Sequence, residues 1–167
     1  FASIATPITF SVASAAVQTV HTNRTVKLNA GSTLENITGG TGNDILTGNA
    51  LNNSQLGRNG NDTLNGVGGS DALVGGQGDD TYLFTTATTS EADSITELFG
   101  QGRDLLSFSN IASPVTMNLE SIALQSVHTN RTLQLNAVDS IEDATGGTGN
   151  DTLTGNGLNN TLIGGSG

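Results

Sequence analysis

The sequence predicts an all-β chain of short strands and tight turns, stacked in thin repeated layers rather than wrapped around one thick core. Three observations carry this expectation. Aromatics make up only 4% of the 167 residues and Trp is absent, while Gly numbers 23, about twice ordinary usage. A unit of 107 residues recurs along the chain. Within it, a nine-residue pattern keeps Gly at fixed places and a mostly aliphatic residue at position 8.

Composition narrows the function classes. Five Lys+Arg against fifteen Asp+Glu give a net charge of -10, so nucleic acid is not an expected partner, because phosphate binding needs a basic patch. The absence of Cys removes disulfides, zinc-thiolate sites and Cys nucleophiles. No apolar run approaches the roughly 18 residues of a membrane span.

The long repeat is plain. Val20-His21-Thr22-Asn23-Arg24-Thr25 returns as Val127-His128-Thr129-Asn130-Arg131-Thr132, and Thr38 to Asp44 returns as Thr145 to Asp151, both offset by 107. Residues 1–60 lie on 108–167 without a gap, and 34 of those 60 positions are identical. Residues 1–107 therefore form a first unit and 108–167 part of a second. The first divides into a strand segment (1–38), a nonapeptide block (39–83) and a less regular flank (84–107). The second divides into a strand segment (108–145) and the start of a block (146–167). The motif breaks off at Gly164-Gly165-Ser166-Gly167, so the chain is expected to be a window on a longer tandem array.

From Gly39 the block reads GGTGNDILT, GNALNNSQL, GRNGNDTLN, GVGGSDALV and GGQGDDTYL, each nine residues long. Position 6 holds Asp44, Asn53, Asp62, Asp71 and Asp80, and position 8 holds Leu46, Gln55, Leu64, Leu73 and Tyr82. The second unit opens GGTGNDTLT at Gly146 and GNGLNNTLI at Gly155. A flexible Gly/Asn linker has no reason to keep this register. The runs over 39–83 and 146–167 resemble the GGxGxDxUx nonapeptide of the RTX (hemolysin-type calcium-binding) family. That resemblance implies a parallel β-roll, a β-solenoid with calcium-binding turns in which two nonapeptides make one coil of about eighteen residues. Asp44, Asp62 and Asp80 would then line one edge, and Asn53 and Asp71 the other.

The residue types fit that chemistry. Gly serves where φ is positive and where backbone must face an ion with no Cβ in the way. Coils about 4.8 Å apart bring carboxylates close enough to repel by roughly 3 kcal/mol at an effective dielectric near 20. A cation between them reverses the sign. The donors are hard oxygens, which suits Ca²⁺ better than transition metals, and better than Mg²⁺ with its demand for an octahedron. Expected metal-binding residues are Asp44, Asp62, Asp80, Asp71 and Asp151. With them go the position 1 and 4 glycines: Gly39 and Gly42, Gly57 and Gly60, Gly75 and Gly78, Gly66 and Gly69, Gly146 and Gly149. One ion is expected between the Asp44 and Asp62 turns and one between the Asp62 and Asp80 turns. A site bounded by Asn53, with Leu51 at position 4, is expected to be weak or empty. Gln55, at an inward position, is expected to be displaced or hydrogen-bonded within the roll.

The flank is less regular. Asp93-Ser94-Ile95 and Gly100-Gln101-Gly102-Arg103-Asp104-Leu105-Leu106 look like degenerate half-motifs with Ile95 and Leu106 inward, making Asp93 and Asp104 further calcium candidates. A short helix over Ser90–Phe99, capped by Ser90 and Asp93 and ended by Gly100, competes. The roll is preferred because Phe84 and Phe108 bracket the stretch in strand-like contexts. In 1–38, Ile8–Val12 and Val26–Leu28 read as strands. Leu28, Ile37 and Leu46 are nine apart, which puts Glu35 and Glu142 at position 6 and favours a continuous coil over beads with small β caps. His21 and His128 lie in HTNRT loops with no second ligand, and a solvated or structural role is expected. Asn-x-Thr triplets such as Asn23-Arg24-Thr25, Asn36-Ile37-Thr38 and Asn61-Asp62-Thr63 carry little weight in so Asn/Thr-rich a chain. Position 3 runs Thr41, Asn59, Gln77, so no ice-binding ladder is present.

Without calcium, low hydrophobicity and strong negative charge favour disorder. A site filled at about 100 times its dissociation constant adds roughly 2.7 kcal/mol, and three add about 8, comparable to a whole domain's stability of about 5–15 kcal/mol. Binding is then largely the folding reaction. No G-x-S-x-G, HExxH or Ser/His/Asp set occurs, so no enzyme activity is expected. The resemblance implies export from a bacterium by one-step (type I) secretion, and a place outside the cell or on its surface. The long repeat points to a calcium-dependent structural module of a filament, surface fibre or giant adhesin. Its partners would be calcium ions, neighbouring units of the same chain and other copies in a filament. The alternative is a secretion and folding module attached to an exported protease, lipase or polysaccharide-modifying enzyme. Carbohydrate binding is a weaker third reading, since few aromatics are available as sugar platforms.

Overall fold

The computed structural model describes residues 3–12, 17–21, 24–27, 33–98 and 100–167. Among these there is no helix, and the chain is all-β. The strands in order are β1 (Thr9–Ser11), β2 (Val17–His21), β3 (Arg24–Lys27), β4 (Asn36–Thr38), β5 (Ile45–Asn49), β6 (Ser54–Asn59), β7 (Thr63–Val67), β8 (Ala72–Gln77) and β9 (Thr81–Leu83). They continue with β10 (Glu91–Thr96), β11 (Leu105–Ser107), β12 (Thr116–Asn118), β13 (Gln125–His128), β14 (Arg131–Leu135), β15 (Asp143–Thr145), β16 (Thr152–Thr154) and β17 (Thr161–Ile163).

Successive strands of the nonapeptide block alternate between two sheets. One has the order β1-β5-β7-β9-β11-β15-β17 and the other β13-β14-β10-β8-β6-β4. Every pair in the first is parallel, and so is every pair in the second except β13–β14. Within the block Leu46 faces Leu64 and Leu64 faces Tyr82. On the other sheet Ile37 faces Gln55 and Gln55 faces Leu73. Position 8 is the middle of a short strand, and its side chain points between the sheets. Leu46, Gln55, Leu64, Leu73 and Tyr82 are all buried. Gln55 takes the second of its two expected outcomes, donating from Nε2 to the Asn65 carbonyl at 2.9 Å. Leu162, inward by the same register, is 40% exposed because β17 is the last strand of its sheet.

The flank continues the stack. Ser90–Leu98 is not a helix: β10 lies parallel on β8 with Ile95 opposite Leu73, and β11 lies on β9 with Leu106 opposite Tyr82. Ile95 and Leu106 are buried, which recovers far more apolar surface than an isolated helical turn would. The second unit then builds on the first. β14 pairs in parallel with β10, and β15 with β11. Phe84 and Phe108 stack across this boundary, with ring centroids 4.9 Å apart. One core cluster runs from Leu64 through Leu106 to Ala144, while Ile8, Phe10, Val12, Val20, Ile37 and Leu46 form a second.

The strand segments correct one expectation. They do not continue as a plain coil, because each holds an antiparallel hairpin, β2–β3 and β13–β14. In the second, Asn130 turns the chain with a φ of 66°, a conformation Asn tolerates better than most residues. Leu28, Phe99 and Phe1 lie outside the described residues. In the second unit the nine-residue inward register does reach back, with Leu135 and Ala144 buried.

Candidate metal centre

The position-6 acids form a ladder along one edge of the stack. Each gives one oxygen to a backbone N–H of the coil before it. Ile8 N–H donates to Asp44 Oδ1 (2.8 Å), Asp44 N–H to Asp62 Oδ1 (2.7 Å) and Asp62 N–H to Asp80 Oδ1 (2.7 Å). The ladder continues beyond the block, where Asp80 N–H donates to Asp104 Oδ1 (2.9 Å) and Asp104 N–H to Glu142 Oε2 (2.9 Å). The residue separation is 18 within the block, then 24, then 38, so the loops lengthen while the edge is kept.

The second oxygen of each acid is the informative one. Asp62 Oδ2 and Asp80 Oδ2 are buried and meet no hydrogen-bond partner. They face a small cradle left by the position-1 glycine. A Cβ built on Gly57 would collide with Asp62 Oδ2 and lie 2.7 Å from the Gly75 carbonyl oxygen. A Cβ on Gly39 would likewise meet Asp44 Oδ2 and lie 2.7 Å from the Gly57 carbonyl oxygen. Glycine is required there so that carboxylate and carbonyl oxygens from adjacent coils can converge. At position 4 the need is conformational, with φ of 112° at Gly60 and 116° at Gly78.

Burial without a counter-charge shows in the acidities. Burial pushes Asp62 up to about 7 and Asp80 to about 8, with neighbouring carboxylates adding to the rise. Burial also raises Asp104 to about 7. Converging hard oxygens, buried and short of positive charge, fit a cation of the Ca²⁺ class, which takes oxygens at about 2.3–2.6 Å.

The opposite edge carries the same ladder with a different ending. Asn53 N–H donates to Asp71 Oδ1 (2.7 Å) and Asp71 N–H to Asp93 Oδ1 (2.9 Å). Gly66 lies beneath Asp71 as Gly57 does beneath Asp62, and Gly69 has a φ of 91°. Burial raises Asp71 to about 7, and its Oδ2 has no partner. Asp93, however, does not stand alone. The Arg131 guanidinium, delivered by β14 of the second unit, forms ion pairs with both Glu91 and Asp93, all three buried. It lies over the Phe84 ring at 5.2 Å and within 3.4 and 3.3 Å of the Val67 and Thr85 carbonyl oxygens.

Asp151 repeats the geometry of Asp44 in the second unit. Val115 N–H donates to its Oδ1 (2.8 Å) and Gly147 N–H to its Oδ2 (2.7 Å), and Gly146 sits beneath it. Gly42 and Gly149 also correspond, since a Cβ on either would meet backbone of the preceding strand segment.

A family model described as Peptidase M10 serralysin C terminal matches residues 13–140, more than half of the chain. The chain belongs to the Peptidase M10 serralysin C-terminal family. A second model, the RTX calcium-binding nonapeptide repeat in four copies, matches residues 139–167. No curated protein matches this chain. Repeats of the RTX kind bind Ca²⁺, the cation that the cradle oxygens of this serralysin C-terminal chain fit.

Several residues of this family member are invisible to the repeat pattern. Glu97, Glu91 and Arg131 belong to no nonapeptide, and nothing in their spacing marks them. Among the described residues the one close group of three acids is Asp80, Glu97 and Asp104, and Glu97 was not expected there. Glu142, at position 6 by register, does continue the ladder. His128 is buried with neither ring nitrogen partnered, and burial, with the nearby Arg131 charge, lowers its pKa below the usual histidine value. Of its two expected roles the structural one holds. The side-chain surroundings of His21 lie outside the described part of the chain.

Proposed function

We propose that this chain is a non-catalytic, calcium-folded structural module of an exported protein, whose tandem units stack end to end into a rod. The observation that carries the reading is the ladder of carboxylates running from buried Asp80 and Asp104 to half-buried Glu142, from one unit into the next. Calcium filling the cradles turns mutual repulsion into cohesion, so folding waits for the calcium-rich exterior. Parallel pairing of β14 on β10 and β15 on β11 supports direct stacking of units in a surface fibre or adhesin.

The family match supports a second reading at least as well: a secretion and folding module beside an exported enzyme, such as a protease. Both readings share calcium-gated folding and differ in what adjoins the module. Circular dichroism of the chain across a calcium titration tests the shared part. A β signal that rises with calcium and vanishes in chelator is expected, and a signal indifferent to calcium would overturn it. Electron microscopy of native material in millimolar calcium separates the two. Filaments with an axial repeat near one unit support the rod, and isolated globular particles support the enzyme-linked module.

A further inference from the structure

Where the regular block ends, the third cradle of the first edge changes its makeup. In the Gly39 and Gly57 turns the second oxygen facing the cradle is a glycine carbonyl of the next coil. After Gly75 the separation lengthens to 24 residues, and the three atoms nearest a Cβ built on Gly75 all belong to side chains. The place is taken by a side chain: a Cβ on Gly75 would meet both Asp80 Oδ2 and Glu97 Oε1. One oxygen each from Asp80, Glu97 and Asp104 lies within 4.8 Å of the others, a spread that oxygens around one Ca²⁺ ion can have. All three residues are only 1% exposed, and Asp80 Oδ2 and Glu97 Oε2 have no partner.

Glu97 is held for this position. Its N–H donates to Asn136 Oδ1 (2.9 Å), and its carbonyl accepts from Asn136 Nδ2 (2.7 Å), so the second unit pins its backbone. Tyr82 Oη accepts from Gly75 N–H (2.7 Å) and donates to Glu97 Oε1, which leaves Oε2 free. We propose that Asp80, Glu97 and Asp104 bind a calcium-class cation at a three-carboxylate site, in which Glu97, from outside the repeats, supplies the ligand that a glycine carbonyl supplies elsewhere. Three charges in place of two make it the tightest site of the stack. The proposal rests on the calcium reading of the repeats and adds a ligand that the motif does not contain.

The chain has a single Tyr and no Trp, so Tyr82 is a built-in reporter. Terbium(III) in place of calcium emits under tyrosine excitation only when bound close to Tyr82. The full chain should give saturable tyrosine-sensitised emission that calcium competes away. Its lifetimes in H₂O and D₂O should correspond to an ion with few coordinated waters. Glu97→Gln should weaken this phase by roughly tenfold or more, because affinity follows ligand charge. Glu120→Gln, at an exposed acid, should leave it unchanged. An unchanged Glu97→Gln titration would overturn the proposal. So would a wild-type chain that folds in calcium yet gives no sensitised emission or a fully hydrated ion, which keeps the test valid if Glu97→Gln fails to fold. A chain that never folds with calcium would instead overturn the wider reading.

Discussion

The two edges of the stack have the same ladder and opposite electrostatics. On one, Asp62, Asp80 and Asp104 stand in line, and the groups that shift their acidity include no basic side chain; Asp62 and Asp80 each keep a free buried oxygen. On the other, the ladder runs from Asn53 through Asp71 to Asp93 and meets Arg131, a cation that the chain carries itself. One neutral rung and one guanidinium reduce the need for a metal on that side. A repeated turn can thus be stabilised from solution or from within. The inner solution sits where the second unit meets the first, so that junction should depend less on calcium than the first edge does.

Chelation should produce the largest effect and should separate the edges. Emptying about three sites removes roughly 8 kcal/mol, the scale of a whole domain's stability. Hydrogen exchange read by mass spectrometry would follow it residue by residue at the lowest calcium concentration that retains β structure. The Asp44, Asp62 and Asp80 amides, which donate along the first edge, should lose protection before the Asp71 amide, which donates toward Asp93. Equal loss on both edges would mean that Arg131 does not stand in for calcium.

Arg131→Gln should come next. It leaves Glu91 and Asp93 buried without their cation, a change that typically costs about 3–5 kcal/mol. Urea denaturation in saturating calcium measures it. The loss should persist at high calcium, unlike the effect expected of Asp62→Asn, which should weaken calcium binding itself. A variant with wild-type stability would show that the buried triad is of no net consequence.

The contrast between these residues also marks what the sequence reveals. Position 8 was legible because strand alternation forces one residue per nonapeptide inward, and Leu64 and Leu73 obey the same geometry. The Asp44–Asp62–Asp80 edge followed from that register. Arg131 and Glu97 were not legible, because each acts across a loop whose length sits outside the repeat, with 38 residues from Asp93 to Arg131. The β13–β14 hairpin was missed for a related reason: its strands alternate like coil strands, and only the turn at Asn130 reverses them.

A pH series in chelator gives a smaller, signed effect. Folded-state pKa values of about 7 for Asp62, Asp71 and Asp104, and about 8 for Asp80, lie above the ordinary carboxylate value of about 4. A raised value means the fold binds protons more tightly than the unfolded chain, so this contribution is full below about pH 4 and lost as pH climbs through about 7 to 8. Calcium-free chain should therefore hold more β structure at about pH 5 than at about pH 8. With calcium the trend should flatten or reverse, since protons compete for the same oxygens. Circular dichroism at fixed ionic strength reads both. Calcium-free structure that grows with pH would contradict the buried, uncompensated state of the first edge.

The smallest effect tests the turns themselves. At position 2 of the nonapeptide, Gly76 has a φ of 113°, and Arg58 and Val67 are held at 94° and 80° in the same place. Side chains there cost about 1–2 kcal/mol against the left-handed conformation, offset in part by the roughly 0.5–1 kcal/mol of backbone freedom that glycine loses on folding. Arg58→Gly and Val67→Gly should each stabilise by somewhat under about 1 kcal/mol, Val67→Gly the more because the β-branch of Val67 crowds the turn. The two differ in what they touch. Val67 presents its carbonyl to Arg131, so Val67→Gly gains only if that contact survives, whereas Arg58 is exposed on a turn of the first edge. A double variant, Val67→Gly with Arg131→Gln, decides the point by thermal melting in calcium. Additive changes mean that the strain at Val67 is local to its turn, and non-additive ones mean that it serves to aim a carbonyl at the internal cation.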